Sequence, residues 1–329
     1  MKLKRVTLNA LTVVLSTLVA VAVLLFADLY LHYRHTINLW GYRGPSAGAK
    51  QPGEKRVVVL GGSTAWGYGL AWEESFPAQL ERKIAARRRA GGGGPVKILN
   101  LAFNNEGSYS FKYTLHDYEY LDYDVVLLYS GYNDLGGKPN LWVFREQSPV
   151  FRWTGYMPLL PSFFLAKMNA LKSRLSKKSE RTVFVRRTTD KPVAGNTNAA
   201  EEVAKSLERQ LGPLSGTDQT RASPNGCAGR WAFYCQQMYE TVNGALSQGK
   251  RVIVVTEPYN SDRYVEQQRA LSDMLAERFG SRVDLVYLNL GGTVDLRDRS
   301  LCWDGMHLTE KGSEKIAEAL VQPVLEILR

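Results

Sequence analysis

The amino terminus carries the strongest constraint on what this chain can fold into. From Val6 to Ala27 the sequence runs for 22 residues without a charged side chain. At the helical rise of about 1.5 Å per residue, this run would extend about 33 Å, close to the hydrocarbon thickness of a bilayer. A helix that is apolar on every face does not suit the surface of a soluble domain. The sequence therefore predicts a transmembrane helix, with residues 1–33 forming a cytoplasmic stub and a membrane anchor.

Basic residues lie before this run and aromatic residues lie after it. Lys2, Lys4 and Arg5 favour a cytoplasmic amino terminus, because basic residues are retained on that side of a membrane. The aromatic residues suit the belt that marks a membrane interface; they are Tyr30, Tyr33, Trp40 and Tyr42. We therefore expect the rest of the chain to lie outside the cytoplasm, on the periplasmic side.

A cleaved signal peptide is the alternative interpretation of the same segment. The sequence Ala20-Val21-Ala22 has the small residues of a cleavage site. It is followed directly by Val23-Leu24-Leu25-Phe26, whereas a cleavage site normally ends the apolar run instead of lying inside it. This position favours an uncleaved anchor.

The remainder of the chain alternates short apolar runs with longer stretches of helical periodicity. Residues 34–54 are rich in glycine and proline and are predicted to be a linker, followed by one domain over 55–329. The apolar runs predict strands at Arg56–Leu60, Val96–Leu101, Asp124–Tyr129, Val252–Thr256 and Val283–Leu288, and the late helices are predicted at about 228–248, 262–279 and 309–328. This alternation predicts a parallel sheet with helices on both faces, in which ligands bind beyond the carboxyl ends of the strands.

An insertion at about 136–227 interrupts this alternation. Its first part, Leu141 to Leu171, is rich in aromatic residues, leucine and proline. This part has three interpretations, namely a cover over the active site, a segment resting on the membrane, and ordinary packing against the domain. Its second part, about 172–226, is polar and basic and is predicted to be a loosely ordered surface insertion.

Charge and cysteine content exclude several classes of protein. The net charge is +10, but the basic residues are scattered in short runs and form no nucleic-acid-binding module, so we expect no nucleic-acid partner. The three cysteines form no Cys-x-x-Cys pair or Cys/His cluster, which argues against a structural zinc site. The cysteines have two interpretations. If the domain lies in an oxidising compartment, Cys227 and Cys235 could form a disulfide. In the alternative, all three cysteines are free thiols. The sequence does not predict the oligomeric state.

The first candidate site follows the first predicted strand directly. In Gly61-Gly62-Ser63-Thr64, the serine lies in a tight turn between a strand and a helix. The segment lacks the glycine and lysine pattern of phosphate-binding loops, and it lacks the Gly-x-Ser-x-Gly elbow of α/β-hydrolases. Ser63 is thus a candidate nucleophile of an enzyme class other than the α/β-hydrolases.

Two further sites supply groups that could act on such a serine. In Gly131-Tyr132-Asn133-Asp134, directly after the third predicted strand, the Asn133 amide is well suited to donate a hydrogen bond to an oxyanion. In Asp304-Gly305-Met306-His307, the carboxylate can orient the imidazole, which then acts as a general base. Among the other histidines, two lie beside the predicted membrane span and His116 lies within a predicted helix.

The order of these three motifs resembles the SGNH hydrolase superfamily, the GDSL-like lipases and esterases, in its membrane-anchored bacterial form. The resemblance covers about 55–135 and 228–329. It implies a flavodoxin-like, three-layer α/β/α fold carrying a Ser-His-Asp site formed by Ser63, His307 and Asp304. Gly62 stands where many members have aspartate, although Gly-Gly-Ser-Thr also occurs among bacterial relatives.

The resemblance also implies an oxyanion hole. Its donors would be the backbone N–H groups of Ser63 and Gly107 and the side chain of Asn133. Gly107 is assigned by aligning Asn100–Ser108 with the family's second motif, from which this chain departs by carrying Asn104-Asn105-Glu106 before the glycine.

The function that the resemblance implies is hydrolysis of an ester without a metal or organic cofactor. The substrate would be an O-acetyl group on an envelope glycan, or a lipid ester. An O-acyltransferase of exopolysaccharide or peptidoglycan is the alternative, since a sugar hydroxyl in place of water would use the same residues. A non-catalytic glycan-binding protein on the same fold is the second alternative.

Overall fold

The computed structural model describes residues 2–136, 139–145, 148–175 and 226–329. In chain order the helices are α1 (Lys2–His35), α2 (Ser63–Trp66), α3 (Phe76–Ala90), α4 (Ser108–Asp117), α5 (Pro149–Thr154), α6 (Leu160–Leu175), α7 (Ala232–Ser247), α8 (Asp262–Phe279) and α9 (Glu310–Ile327). The strands are β1 (Lys55–Gly61), β2 (Val96–Asn100), β3 (Val125–Ser130), β4 (Arg251–Thr256) and β5 (Leu285–Leu288). The chain divides into two units, Met1–Gly41 with Ser148–Phe184, and Tyr42–Gln147 with Val185–Arg329.

The first unit is built on the long helix α1. Its segment Asn9–His35 is long and apolar enough to cross a membrane, and the described part of the chain contains one such helix. Beyond the apolar run, the buried Asp28 carboxylate accepts hydrogen bonds from the Tyr156 hydroxyl and from the backbone N–H of Leu160 at 2.6 Å. His32 lies 3.4 Å from the same carboxylate. These polar contacts join the end of α1 to the start of α6.

The second unit is built on a five-stranded parallel sheet with the order β2-β1-β3-β4-β5. This is the flavodoxin-like strand order, and it confirms the predicted fold class. Helices α3 and α9 pack against each other, as do α4, α7 and α8, so that two helical layers cover the sheet. The strand β3 is buried at every residue, as expected for a strand covered on both faces.

Four predicted strands agree with the structure within one residue at each end, and the fifth begins later than predicted. We expected a strand from Val283, but β5 starts at Leu285, and Val283 is 94% exposed. The apolar side chain suggested a strand, but Arg282 and Asp284 flank it and pair with each other in the turn before β5. The start of β5, an edge strand with one pairing partner, is therefore set by this turn and not by where the apolar residues begin.

Part of the predicted linker packs against the domain. Tyr42 is buried and its hydroxyl accepts a hydrogen bond from the Ala47 N–H at 2.7 Å. The Arg43 N–H donates to the Asn100 carbonyl at 3.1 Å, which places this segment beside the end of β2. The polar second part of the predicted insertion, by contrast, lies almost wholly outside the described residues.

The cysteines take two forms. Cys235, in the first turn of α7, forms a disulfide with Cys227, which precedes the helix; their Cα atoms are 5.5 Å apart. Cys302 is a free, buried thiol.

A buried ion pair fixes the described start of the insertion, residues 139–145, to the domain. Arg145 and Glu106 are both almost fully buried, with Nη1 of the guanidinium 3.1 Å from Oε1 of the carboxylate. Arg145 also donates from Nη2 to the Leu101 carbonyl at 2.9 Å and from Nε to the Tyr118 hydroxyl at 2.7 Å. Burial raises the pKa of Glu106 to about 7 against the opposing effect of the Arg145 charge.

We predict that Arg145→Met destabilises the folded protein by about 3 kcal/mol at pH 8, because it leaves a buried carboxylate without its partner. The loss should shrink towards pH 5. There Glu106 binds a proton in the folded state, since its pKa is raised above the unfolded value. Urea unfolding of the full chain in detergent at both pH values measures this difference.

Lys83→Met is the matched control for a lost cation. Lys83 pairs with Glu314 and Glu318 at the surface, so its removal should cost less than about 1 kcal/mol. Equal losses for the two variants, or a loss at Arg145 that does not depend on pH, would contradict the prediction.

Candidate active site

Ser63 lies where the first strand turns into a helix. Strand β1 ends at Gly61, and Ser63 is the first residue of the short helix α2. Because it follows the end of β1, an interior strand, this turn lies at the carboxyl-terminal edge of the sheet, where parallel α/β proteins bind ligands. The side chain of Ser63 remains partly exposed, so a substrate can reach it.

The structure brings together the serine, histidine and aspartate singled out from the sequence. Ser63 Oγ lies 2.9 Å from His307 Nε2, and His307 Nδ1 lies 2.6 Å from Asp304 Oδ2. The other oxygen, Oδ1, accepts the backbone N–H groups of Met306 at 3.0 Å and His307 at 2.7 Å. With Nδ1 donating to the carboxylate, Nε2 is left to accept the serine proton.

The electrostatics of Asp304 suit an ionised carboxylate. Burial alone would raise the pKa of Asp304, but hydrogen bonds from the His307 side chain and from backbone N–H groups hold it below its usual value. An ionised Asp304 stabilises a positive charge on His307 when that imidazole takes up a proton. The arrangement can therefore activate a hydroxyl group by general-base catalysis.

Local structure holds the histidine in place on two sides. The backbone N–H of Trp303 donates to the His307 carbonyl at 3.2 Å, which closes the turn containing Asp304. The ring of Tyr68 packs against the imidazole with centroids 4.8 Å apart. His116, the other candidate base, is an exposed residue in the last turn of α4, whereas His307 is paired with Ser63.

Asn133 lies against the turn that carries the serine. Its Nδ2 donates to the Glu106 carbonyl at 2.8 Å. A Cβ atom added to Gly62 would lie 2.1 Å from the same nitrogen, so a side chain there would displace the amide. The absence of a side chain at Gly62, where the Gly-Asp-Ser form has aspartate, thus leaves room for the Asn133 amide beside the turn of Ser63.

Gly107 lies in the same region, at the start of α4. The Asp134 carboxylate accepts the Ser108 N–H at 2.8 Å and the Ser108 hydroxyl at 3.1 Å, which joins the Gly107 segment to the Asn133 turn. A Cβ on Gly107 would lie 2.8 Å from Asp134 Oδ1. Burial raises the pKa of Asp134 to about 6, against the lowering effect of the hydrogen bonds from Ser108.

Glu257 is a residue at this edge that sequence reasoning missed. It follows β4 directly, is 2% exposed, and accepts hydrogen bonds from the Thr64 hydroxyl and from the backbone N–H of Tyr132 at 2.8 Å. The available signal was its position, because a carboxylate directly after a buried interior strand lies at the edge where the other parallel strands end. Glu106 and Arg145 were missed for a different reason, since their pairing joins segments far apart in the sequence.

The described residues contain no group of three or more histidine, cysteine or acidic side chains placed to hold a metal ion.

Comparison with known proteins identifies similar folds and no similar sequences. No family model and no curated protein matches the sequence. Among solved structures, a lipolytic protein of the G-D-S-L family from Desulfitobacterium hafniense is 13% identical with a TM-score of 0.41, covering 82% of this chain and 98% of its own. A psychrotrophic esterase from Pseudoalteromonas is 12% identical with a TM-score of 0.44, covering 83% and 98%.

An acetyl-xylooligosaccharide esterase variant from Geobacillus is 11% identical with a TM-score of 0.45, covering 83% of this chain and 94% of its own. These values describe a distant likeness. The strand order and the geometry above stand independently of it. The chain has a flavodoxin-like parallel α/β fold, with Ser63, Asn133, Asp304 and His307 gathered at the carboxyl edge of its sheet.

Proposed function

We propose that this protein is a serine esterase in which Ser63 is the nucleophile. The observation that carries the proposal is the continuous arrangement from Ser63 Oγ through the His307 imidazole to the Asp304 carboxylate, with separations of 2.9 and 2.6 Å. A partly exposed serine with a base in hydrogen-bond contact, and a third group orienting that base, is the signature of an activated nucleophile.

The reaction begins when His307 Nε2 takes the proton from Ser63. The serine oxygen attacks the carbonyl carbon of the ester and forms a tetrahedral intermediate. This intermediate collapses, the bond to the alcohol breaks, and His307 returns the proton to the leaving alkoxide oxygen. A water molecule, deprotonated by His307, then attacks the carbonyl carbon of the acyl-enzyme. The bond from that carbon to Ser63 Oγ breaks, the acid is released, and His307 returns the proton to Ser63 Oγ.

The oxyanion of the intermediate is stabilised by the N–H groups of Ser63 and Gly107 and by the Asn133 amide. Asn133 uses one amide hydrogen on the Glu106 carbonyl, and an amide nitrogen carries a second. That second hydrogen is the donor that the mechanism requires.

Three aromatic side chains lie near the turn of Ser63 and support a choice of substrate. Tyr68 packs on His307, the Phe103 N–H donates to the Gly61 carbonyl at 3.1 Å, and the Trp142 ring stacks on Phe103 at 5.9 Å. Each of these side chains is partly exposed. Flat apolar surfaces beside a polar site suit the faces of sugar rings, and we therefore propose an O-acylated glycan as the substrate. O-Acyl transfer to a glycan hydroxyl would use the same residues.

The helix over Asn9–His35 would hold the domain at the outer face of the membrane. The disulfide between Cys227 and Cys235 supports this placement, because such bonds persist in oxidising compartments. An envelope glycan would be accessible there.

We expect Ser63→Ala to lower the hydrolysis rate of p-nitrophenyl acetate at least about 1,000-fold, since loss of the nucleophile removes the covalent route. Ser247→Ala, at an exposed helix end, is the matched control and should keep full activity. Wild-type protein inactive on every short ester tested, or a fully active Ser63→Ala variant, would rule out the esterase.

We expect Gly62→Ala to lower kcat about 100- to 1,000-fold, because the new methyl group would displace Asn133 from the oxyanion site. Gly244→Ala provides the control, since a Cβ at that position in α7 meets nothing within 4 Å. Steady-state kinetics on one ester measure both variants. Equal kcat values for the two variants would mean that Asn133 has no such role.

The full chain should stay in the membrane fraction after an alkaline carbonate wash, and its intact mass should include the residues of the apolar helix. Alkylation without reductant should spare Cys227 and Cys235. Recovery of a shorter, soluble protein would instead establish that the amino-terminal segment is a cleaved signal peptide.

A further inference from the structure

Glu257 makes contacts with both of the turns on which the proposed chemistry depends. Its Oε1 accepts the hydroxyl of Thr64, the residue that follows Ser63. Its Oε2 accepts the backbone N–H of Tyr132, the residue that precedes Asn133, at 2.8 Å. One buried side chain therefore connects the residue beside the nucleophile to the residue beside the oxyanion donor.

The backbone of Glu257 is itself held firmly. Its N–H donates to the Tyr264 hydroxyl at 2.6 Å, and the Tyr132 hydroxyl donates to the carbonyl of the next residue, Pro258. The rings of Tyr132 and Tyr264 pack edge to face with centroids 4.9 Å apart. A carboxyl group held in this way can fix the positions of the two groups that donate hydrogen bonds to it.

We propose that Glu257 is a positioning residue that fixes the turn of Ser63 relative to the turn of Asn133. This inference rests on the proposed esterase function and assigns Glu257 no contact with the substrate. Its effect is to keep the oxyanion donor at the correct distance from the attacking oxygen. Small displacements of that kind lower the turnover rate more than the binding of substrate.

The protonation state of Glu257 gives the proposal a second consequence. Burial raises its pKa to about 8; the hydrogen bonds from Thr64 and Tyr132 oppose this shift, and the Asp134 charge adds to it. The other titratable groups around it are hydroxyls with pKa values raised by burial, those of Tyr129, Tyr132, Tyr234 and Tyr264. No described cation contributes to the shift of Glu257.

At neutral pH the side chain is therefore a neutral acid. Its Oε2 accepts the Tyr132 N–H. In this neutral form a proton on Oε1 would be donated to the Thr64 oxygen, whereas in the ionised form the Thr64 hydroxyl donates to Oε1. Above pH 8 it becomes a buried anion close to where the oxyanion forms. That like charge opposes the reaction, so kcat should fall as Glu257 loses its proton.

The variants Glu257→Gln and Glu257→Leu separate the positioning effect of Glu257 from the effect of its charge. A glutamine can accept from Tyr132 and donate to Thr64 while staying neutral at every pH. A leucine of similar size makes neither hydrogen bond. Glu54→Gln is the matched control, since Glu54 is also buried but lies at the opposite end of β1, beside Arg56.

The experiment measures kcat and KM of the full chain on p-nitrophenyl acetate from pH 6 to 10, after folding of each variant is checked by circular dichroism. We expect Glu257→Leu to lower kcat about 100-fold with KM changed less than about threefold. We expect Glu257→Gln to keep kcat within about threefold at pH 7 and to lose the wild-type fall above pH 8. Glu54→Gln should follow the wild type.

A Glu257→Leu variant with wild-type kcat would overturn the positioning role. A Glu257→Gln variant with the same alkaline fall as the wild type would overturn the effect assigned to the Glu257 charge. Both results would leave the esterase proposal intact. If Glu257→Leu does not fold, the comparison of Glu257→Gln with the wild type decides. Wild-type protein with no activity would overturn the proposed function, and the inference with it.

Discussion

The parallel pairing of β3 between β1 and β4 is the constraint on which the site depends. The register pairs Gly61 with Tyr129 and Ser130 with Thr256, so the three strands end at the same level. The turns that follow them carry Ser63, Asn133 and Glu257. The backbone hydrogen bonds of the sheet therefore bring together side chains that are distant in the sequence. This placement does not depend on contacts between the side chains themselves.

Buried acids then fix these turns to one another. Asp134 joins its turn to Ser108, beside Gly107, and Glu257 joins it to Thr64, beside Ser63. Burying such groups is costly unless their hydrogen bonds are satisfied, so the bonds hold the backbone in one arrangement. Burial also raises the pKa of Glu257 to about 8, which limits the negative charge that this acid brings close to a developing oxyanion at neutral pH.

The sequence predicted the sheet, the late helices and the candidate side chains Ser63, Asn133, Asp304 and His307, because short motifs at two strand ends and in the loop before α9 carry that information locally. It did not predict Glu257 or the pair of Arg145 with Glu106, since their roles depend on contacts across the fold. Val283 shows the opposite error: its apolar side chain suggested a strand, but the turn that precedes β5 decides where that strand begins.

The central claim is that His307 and Asp304 activate Ser63 as a nucleophile. The most direct measurement is reaction of the full chain with a fluorophosphonate, followed by peptide mapping in a mass spectrometer. The account predicts one phosphonyl group per chain, carried by Ser63, and its loss in a His307→Ala variant. A chain that does not react, or that reacts at a different residue, would contradict the account.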